Sequence, residues 1–284
     1  MTAPRIRIGE RLGPFEGRID ADAALAYANA TDDPNPVYQQ RLAVPPLYTV
    51  SLALPAYLEA QRVGVEPGAI EGIRGGVHGE HDLRVHRPLA PGAGVSWEVW
   101  TSGAQQAKPG VLVTQRIVVS DDQGPAVEHF WTTLFIGGTI PAPLGDPLVD
   151  HTFPEDARGR VVGTHTFPVA LDQSFRYGGA SGDRAVIHLD DEAARGMGFP
   201  SKFMQGMCSL AMCSGAVVKL AAGGDPDRVR RLACRFSAPM FPGHDLEVTV
   251  YDAGDSGDGT HAFAFEAVSE GAAVITHGRA DVSD

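Results

Sequence analysis

The sequence predicts an α+β chain of two tandem repeats, each a long apolar helix followed by an antiparallel sheet that must wrap it. Three observations carry this reading. Tyr27, Asp33 and Tyr38 in the first half recur, at an offset of 150 residues, as Tyr177, Asp183 and His188 in the second. Each half holds one long, nearly uncharged helix candidate. Each candidate is followed by strand-length runs separated by turn signals, a pattern that favours antiparallel pairing.

In the first half the helix is placed at 46–61, with Pro55 expected to kink it, since proline removes a backbone donor. Strands are placed at 95–101, 111–120 and 127–136, separated by turns at 108–110 and 121–124. The segment 141–158, rich in Pro, Asp and Gly, reads as a linker between a domain at 1–140 and a second at 159–284. The second helix is expected to start near Lys202, with Ser201 as N-cap, and to stop at Gly223 and Gly224. It is apolar on nearly every face, so protein should surround it. Strands follow at 246–251, 261–269 and 272–282, with turns at 254–259 and 270–271. The repeat extends further: Leu83 to Gly92 aligns with Cys234 to Gly243 at an offset of 151, matching both prolines and the glycine.

Bulk properties narrow the function. With 284 residues, each half can bury a core of its own. A net charge of −12 argues against nucleic acid as a partner. Three cysteines, Cys208, Cys213 and Cys234, make no disulfide framework and suit a reducing compartment. The N-terminal stretch lacks the apolar core of a signal peptide, and the C-terminal residues are no peroxisomal address, so a cytoplasmic protein is expected. The longest uncharged run, 203–218, is shorter than the roughly 20 residues a bilayer requires, so no membrane partner is expected.

Asp183 and His188 are the most informative pair. A carboxylate and an imidazole five residues apart, just after the turn at Ser181 and Gly182, can hold one water and divide two proton transfers. The first repeat keeps Asp33 but has Tyr38 in place of the imidazole, so it should contribute no chemistry. His78, Glu80, His81 and His86 form a second cluster. A regular strand would send alternate members to opposite faces, so a metal site is not expected there. Cys208, in the apolar helix, reads as a buried thiol.

The run Tyr177, Ser181, Gly182, Asp183, Ile187, His188, Asp190, Ala193, Gly198, Phe199, Gly206 and Met207 resembles the signature of MaoC-like, (R)-specific enoyl-CoA hydratases and 3-hydroxyacyl dehydratases. The resemblance implies two tandem hot-dog domains, a degenerate first half that makes room for the acyl chain and a catalytic second half. It implies Asp183 and His188 as the catalytic pair and the Gly206 N–H as donor to the thioester oxygen. Ser181, Arg184, Phe199 and Met207 are the expected substrate contacts, Ser181 also shaping its turn and Arg184 either meeting a CoA phosphate or standing as a solvated or salt-bridged arginine. It requires no metal or organic cofactor, and it implies an acyl-CoA or acyl-carrier-protein thioester as substrate. A monomer or a homodimer would both fit. Arg228, Arg230, Arg231 and Arg235 either meet phosphates of such a substrate or form a solvated strand end. A bend at Pro55 would open an acyl tunnel. Two positions depart from the family pattern: Ala185 and Val186 stand where it has Asn-Pro, and Gln205 where it has His. A thioesterase and a non-catalytic thioester-binding subunit are the alternative readings.

Overall fold

The computed structural model describes residues 5–257 and 259–284. Residues 1–4, where the stretch read for a leader begins, and Asp258, in the turn expected at 254–259, lie outside the described residues. The first half runs β1 (Leu12–Arg18), α1 (Ala21–Ala30), α2 (Pro36–Gln39), α3 (Thr49–Gly64), β2 (Gly75–Val85), β3 (Gly94–Ala107), β4 (Gly110–Asp121) and β5 (Gly124–Ile136). A short β6 (Leu144–Gly145) pairs with β3 in the expected linker, ahead of a 3-10 turn at Glu155–Gly159. The second half runs β7 (Val161–Pro168), α4 (Gln173–Ser181), a 3-10 turn at Val186–His188, α5 (Asp191–Gly196), α6 (Gly206–Leu220), β8 (Val229–Phe236), β9 (Asp245–Asp255), β10 (Thr260–Ser269) and β11 (Ala272–Ser283).

Each half wraps its long helix in antiparallel strands, the hot-dog arrangement. The halves do not make separate sheets. The described strands form one sheet in the order β1-β3-β4-β5-β2-β8-β11-β10-β9-β7, so one half is the mirror order of the other. The join is the antiparallel pair β2–β8, in which Asp82 faces Ala233. The offset of 151 carries Asp82 onto Ala233 itself, so a pseudo-twofold axis passes through that pair, and the repeats meet as two subunits of a symmetric dimer would. The same axis brings the Tyr27 and Tyr177 hydroxyls to 3.3 Å. One core runs through both halves, with Ala53 and Leu54 of α3 and Leu210 and Met212 of α6 buried in it.

Ionic contacts fix the join. Arg231 donates to Asp82 at 2.6 and 3.0 Å, and Asp82 is fully buried. Arg235 donates to Glu80 at 2.6 Å. Arg228 bonds the carbonyls of Ser283 and Ala222. Arg230 bonds the carbonyl of Val229. Arg231 and Arg235 therefore hold the two halves together, while Arg228 and Arg230 bond carbonyls of their own half.

The second helix begins later than expected. α6 starts at Gly206 with Gln205 as its N-cap residue, and Ser201 caps nothing. Residues before it stay extended because their backbone bonds elsewhere: Met204 N–H donates to the Met240 carbonyl at 2.7 Å. In the first half, α3 starts at Thr49 and continues past Pro55, which sits exposed on its outer face. No helix among the described residues is long and apolar enough to cross a membrane.

Candidate active site

α4 ends at Gly182, whose φ of +81° is a left-handed turn that costs glycine little. The loop then folds on itself. Asp183 N–H donates to Ser181 Oγ at 3.2 Å, and Ala185 N–H donates to Asp183 Oδ1 at 3.3 Å, a side-chain-closed turn. Asp183 Oδ2 has no protein partner among the described residues. The 3-10 turn that follows presents His188, which is 9% exposed. His188 Nδ1 lies 2.8 Å from the Phe203 carbonyl. A carbonyl only accepts, so Nδ1 carries the proton and Nε2 is a free base. Burial lowers the His188 pKa, opposed by the Asp183 charge and by the Phe203 carbonyl.

The loop is clamped by Gln205, at the family's histidine position. Its Nε2 donates to the carbonyls of Ser174 at 3.1 Å and Asp183 at 3.0 Å. The packing is close enough that a Cβ on Gly178 would come within 2.9 Å of the Asp183 carbonyl.

Asp183, His188, Phe199, Gly206 and Met207 line one cavity of about 360 Å³. Gly206 opens α6, so its N–H is among those with no intrahelical partner, at the positive end of the helix dipole. A Cβ there would lie 3.1 Å from the Phe236 ring, which also lines the cavity. Of the expected substrate contacts, Phe199 and Met207 are on the wall, while Ser181 and Arg184 are not. Ser181 is buried and occupied with the turn; Arg184 is exposed, with no ion pair or hydrogen bond among the described residues.

The sequence reading missed the opposite wall. It comes from the first half: Gly76, Val77 and His78 of β2, and Trp131 and Ile136 of β5. His78 belonged to the cluster set aside on the argument of strand alternation. A bulge between His78 and Glu80 breaks that alternation and lets His78 and His81 meet, at 3.3 Å between ring nitrogens. Glu80 turns to Arg235 and His86 to Glu128. Pro55 is not on this wall. The room in the first half comes from the sheet rather than from a bend in α3.

Residues 155–270 match the family described as MaoC like domain. The chain carries a MaoC-like dehydratase domain. It is 28% identical to 3-hydroxyacyl-thioester dehydratase Y of Mycobacterium tuberculosis over 79% of this chain and 75% of that protein. It is 26% identical to the peroxisomal enoyl-CoA hydratase 2 of Arabidopsis thaliana, over 60% of this chain and 58% of that protein. In structure it is similar to a MaoC-like dehydratase from Phytophthora capsici, with a TM-score of 0.85, 22% identity, and 99% and 97% of the two chains covered. It also resembles a Mycobacterium tuberculosis protein described as a double hot dog, at a TM-score of 0.60, 13% identity, and 98% and 97% coverage.

The MaoC-like match takes in Asp183, His188 and Gly206 and leaves the first repeat outside it. There Asp33 lines a larger cleft of about 690 Å³ with His165 and Lys219, residues of the second half. Burial raises the Asp33 pKa, opposed by the Asn35 N–H. Tyr38 does not join that cleft; it packs with Ala28 and Ala43, its hydroxyl buried without a hydrogen-bond partner among the described residues. Asn35, the family asparagine missing at Ala185, accepts from Val37 N–H and donates to the Gly224 carbonyl.

Proposed function

We propose that the protein catalyses (R)-specific hydration of trans-2-enoyl thioesters, or the reverse dehydration of 3-hydroxyacyl thioesters, with Asp183 and His188 as its acid/base pair. One observation carries this reading: Asp183, with one carboxylate oxygen unpartnered among the described residues, His188, with Nε2 free, and Gly206, at the start of a buried helix, line the same cavity. The names of the relatives support the reaction class.

A water donating to Asp183 Oδ2 and His188 Nε2 loses one proton to the pair as its oxygen attacks the β-carbon. The electron pair of the double bond moves onto the thioester as an enolate. Gly206 N–H and the helix dipole stabilise the oxygen that carries this charge, an effect worth roughly 3 kcal/mol per donor. The α-carbon then takes the proton back from the pair, so the elements of water are added and the site is restored. Dehydration follows the same steps backwards. The apolar wall takes the acyl chain, and Arg184 outside the cavity is free to meet a CoA or carrier phosphate.

The test is loss of the enoyl-thioester absorbance on trans-2-enoyl-CoA of short, medium and long chain, with the product analysed on a chiral column. Formation of the (R)-3-hydroxyacyl product supports the assignment. Release of free CoA without hydration would replace it with a thioesterase.

A further inference from the structure

The cavity wall from the first half carries a polar group that hydration does not use. His78 Nε2 lies 3.1 Å from the Glu80 carbonyl, which can only accept, so Nε2 carries the ring proton. Three further contacts agree with that tautomer. His81 Nδ1 receives from His78 Nε2 at 3.3 Å, His81 Nε2 donates to His129 Nδ1 at 3.0 Å, and His129 Nε2 donates to Thr49 Oγ1 at 2.8 Å. Each ring donates through Nε2 to the next element of the chain. The first ring is left with Nδ1 as a bare acceptor, unpartnered among the described residues, on a residue that lines the cavity. Desolvation lowers the ring's pKa to about 3, which keeps it neutral and Nδ1 an acceptor.

The ring is also fixed in place. Trp131 stacks on it at 4.4 Å and Tyr57 stacks on Trp131 at 4.0 Å. Phe236 lies at 4.7 Å. Phe236 is the ring that a Cβ on Gly206 would touch, so His78 stands one aromatic ring beyond the reacting end of the site. Its neighbours on the wall include Val77, Ile136, Met240 and Val274. A plain alkyl chain packed there would cover the acceptor and leave it unpaired, which is costly in an apolar site.

We propose that the cavity is built for acyl chains bearing a hydroxyl group, which donates its hydrogen bond to His78 Nδ1. This rests on the reading of the cavity as the acyl site. A ketone at the same carbon brings only acceptors and gains nothing from the contact.

The experiment is calorimetric titration of the protein with saturated acyl-CoA thioesters of one chain length. They would be unsubstituted, hydroxylated at successive carbons beyond C3, or carrying a ketone at those carbons. Saturated chains without a 3-hydroxyl can be neither hydrated nor dehydrated, so the measurement is independent of turnover. At one carbon the hydroxyl should tighten binding about five- to tenfold over the unsubstituted chain. The ketone should not, and His78→Phe should erase the gain. No hydroxyl preference at any carbon, an equal gain for the ketone, a gain that survives His78→Phe, or no binding of any acyl-CoA overturns the inference. The wild-type hydroxyl-against-ketone comparison decides even if the variant fails to fold. Hydration of plain enoyl-CoA without a hydroxyl preference removes only this inference; a hydroxyl preference without any hydration removes only the proposed reaction.

Discussion

The loop at Asp183 and the loop at Asp33 start from the same frame and differ in where the side chain five residues on is sent. In the second half, His188 turns onto the cavity wall beside its carboxylate, held by the Phe203 carbonyl. In the first, Tyr38 packs into a cluster with Ala28 and Ala43, and Asp33 lines its cleft with only the Asn35 N–H of its own loop donating to its carboxylate, at 3.1 Å, and no imidazole beside it. The first-half cleft is the larger of the two, about 690 against 360 Å³. The proposed site is therefore singled out by the convergence of a carboxylate, an oriented imidazole and a helix N-terminus, and not by volume.

The largest test of that contrast is Asp183→Asn or His188→Ala, each expected to lower hydration by about 10²- to 10⁴-fold with the fold intact by circular dichroism. Full activity in both variants would move the chemistry elsewhere. Gly206→Ala should follow, at about ten- to a hundredfold in kcat/KM. The added methyl meets the Phe236 ring at 3.1 Å and crowds the donor that the enolate needs.

Tyr38→His should not create a second site. The ring at that position points into a packed cluster, so an Asp183→Asn, Tyr38→His double variant should regain no activity. Its midpoint in urea should instead fall, by about 1–3 kcal/mol of stability, as a polar ring replaces a buried phenol. Recovered turnover would show that the two loops are interchangeable.

Acid should act through the buried histidines. His78 and His129 in the first half are lowered to about 3, and His151 of the connecting segment to about 4, by burial in each case. In the unfolded chain these rings protonate near 6.5, so below that pH the unfolded state binds more protons. Stability should be complete above pH 6.5 and fall as pH drops towards 4, with proton uptake on unfolding measurable by calorimetry in buffers of different ionisation enthalpy. Unfolding at pH 5 without proton uptake would contradict the neutral histidine chain. The rate should respond differently. With His188 acting as a base whose pKa is lowered, its acid limb should lie below the usual imidazole range.

The smallest expected effect is that of Asp33→Ala, within threefold of wild type in hydration. A tenfold loss with folding intact would assign chemistry to the first repeat.

Much of this was legible from residue patterns, for identifiable reasons. Apolar runs and turns located the strands now seen as β3, β4, β5, β9, β10 and β11, because each is bounded by glycine-rich turns. β1 and β7 escaped notice: they are edge strands whose side chains are mostly exposed. The start of α6 was misplaced because Ser201 has the chemistry of a cap, whereas Phe203 and Met204 give their backbone groups to His188 and Met240. Asp183 and His188 could be found because one loop carries both. The His78 and Trp131 wall could not, since it reaches the site through sheet order, and a one-residue bulge reversed the facing that alternation implied for His78.

The β2–β8 join has a further consequence. Two single-repeat subunits making the same contact would dissociate on dilution, taking the His78 wall away from the Asp183 wall. Here a covalent connection holds the two surfaces at a fixed effective concentration, so the composite cavity does not depend on how much protein is present. Specific activity should stay constant down to nanomolar enzyme, and each wall is free to change its sequence without having to remain compatible with a copy of itself.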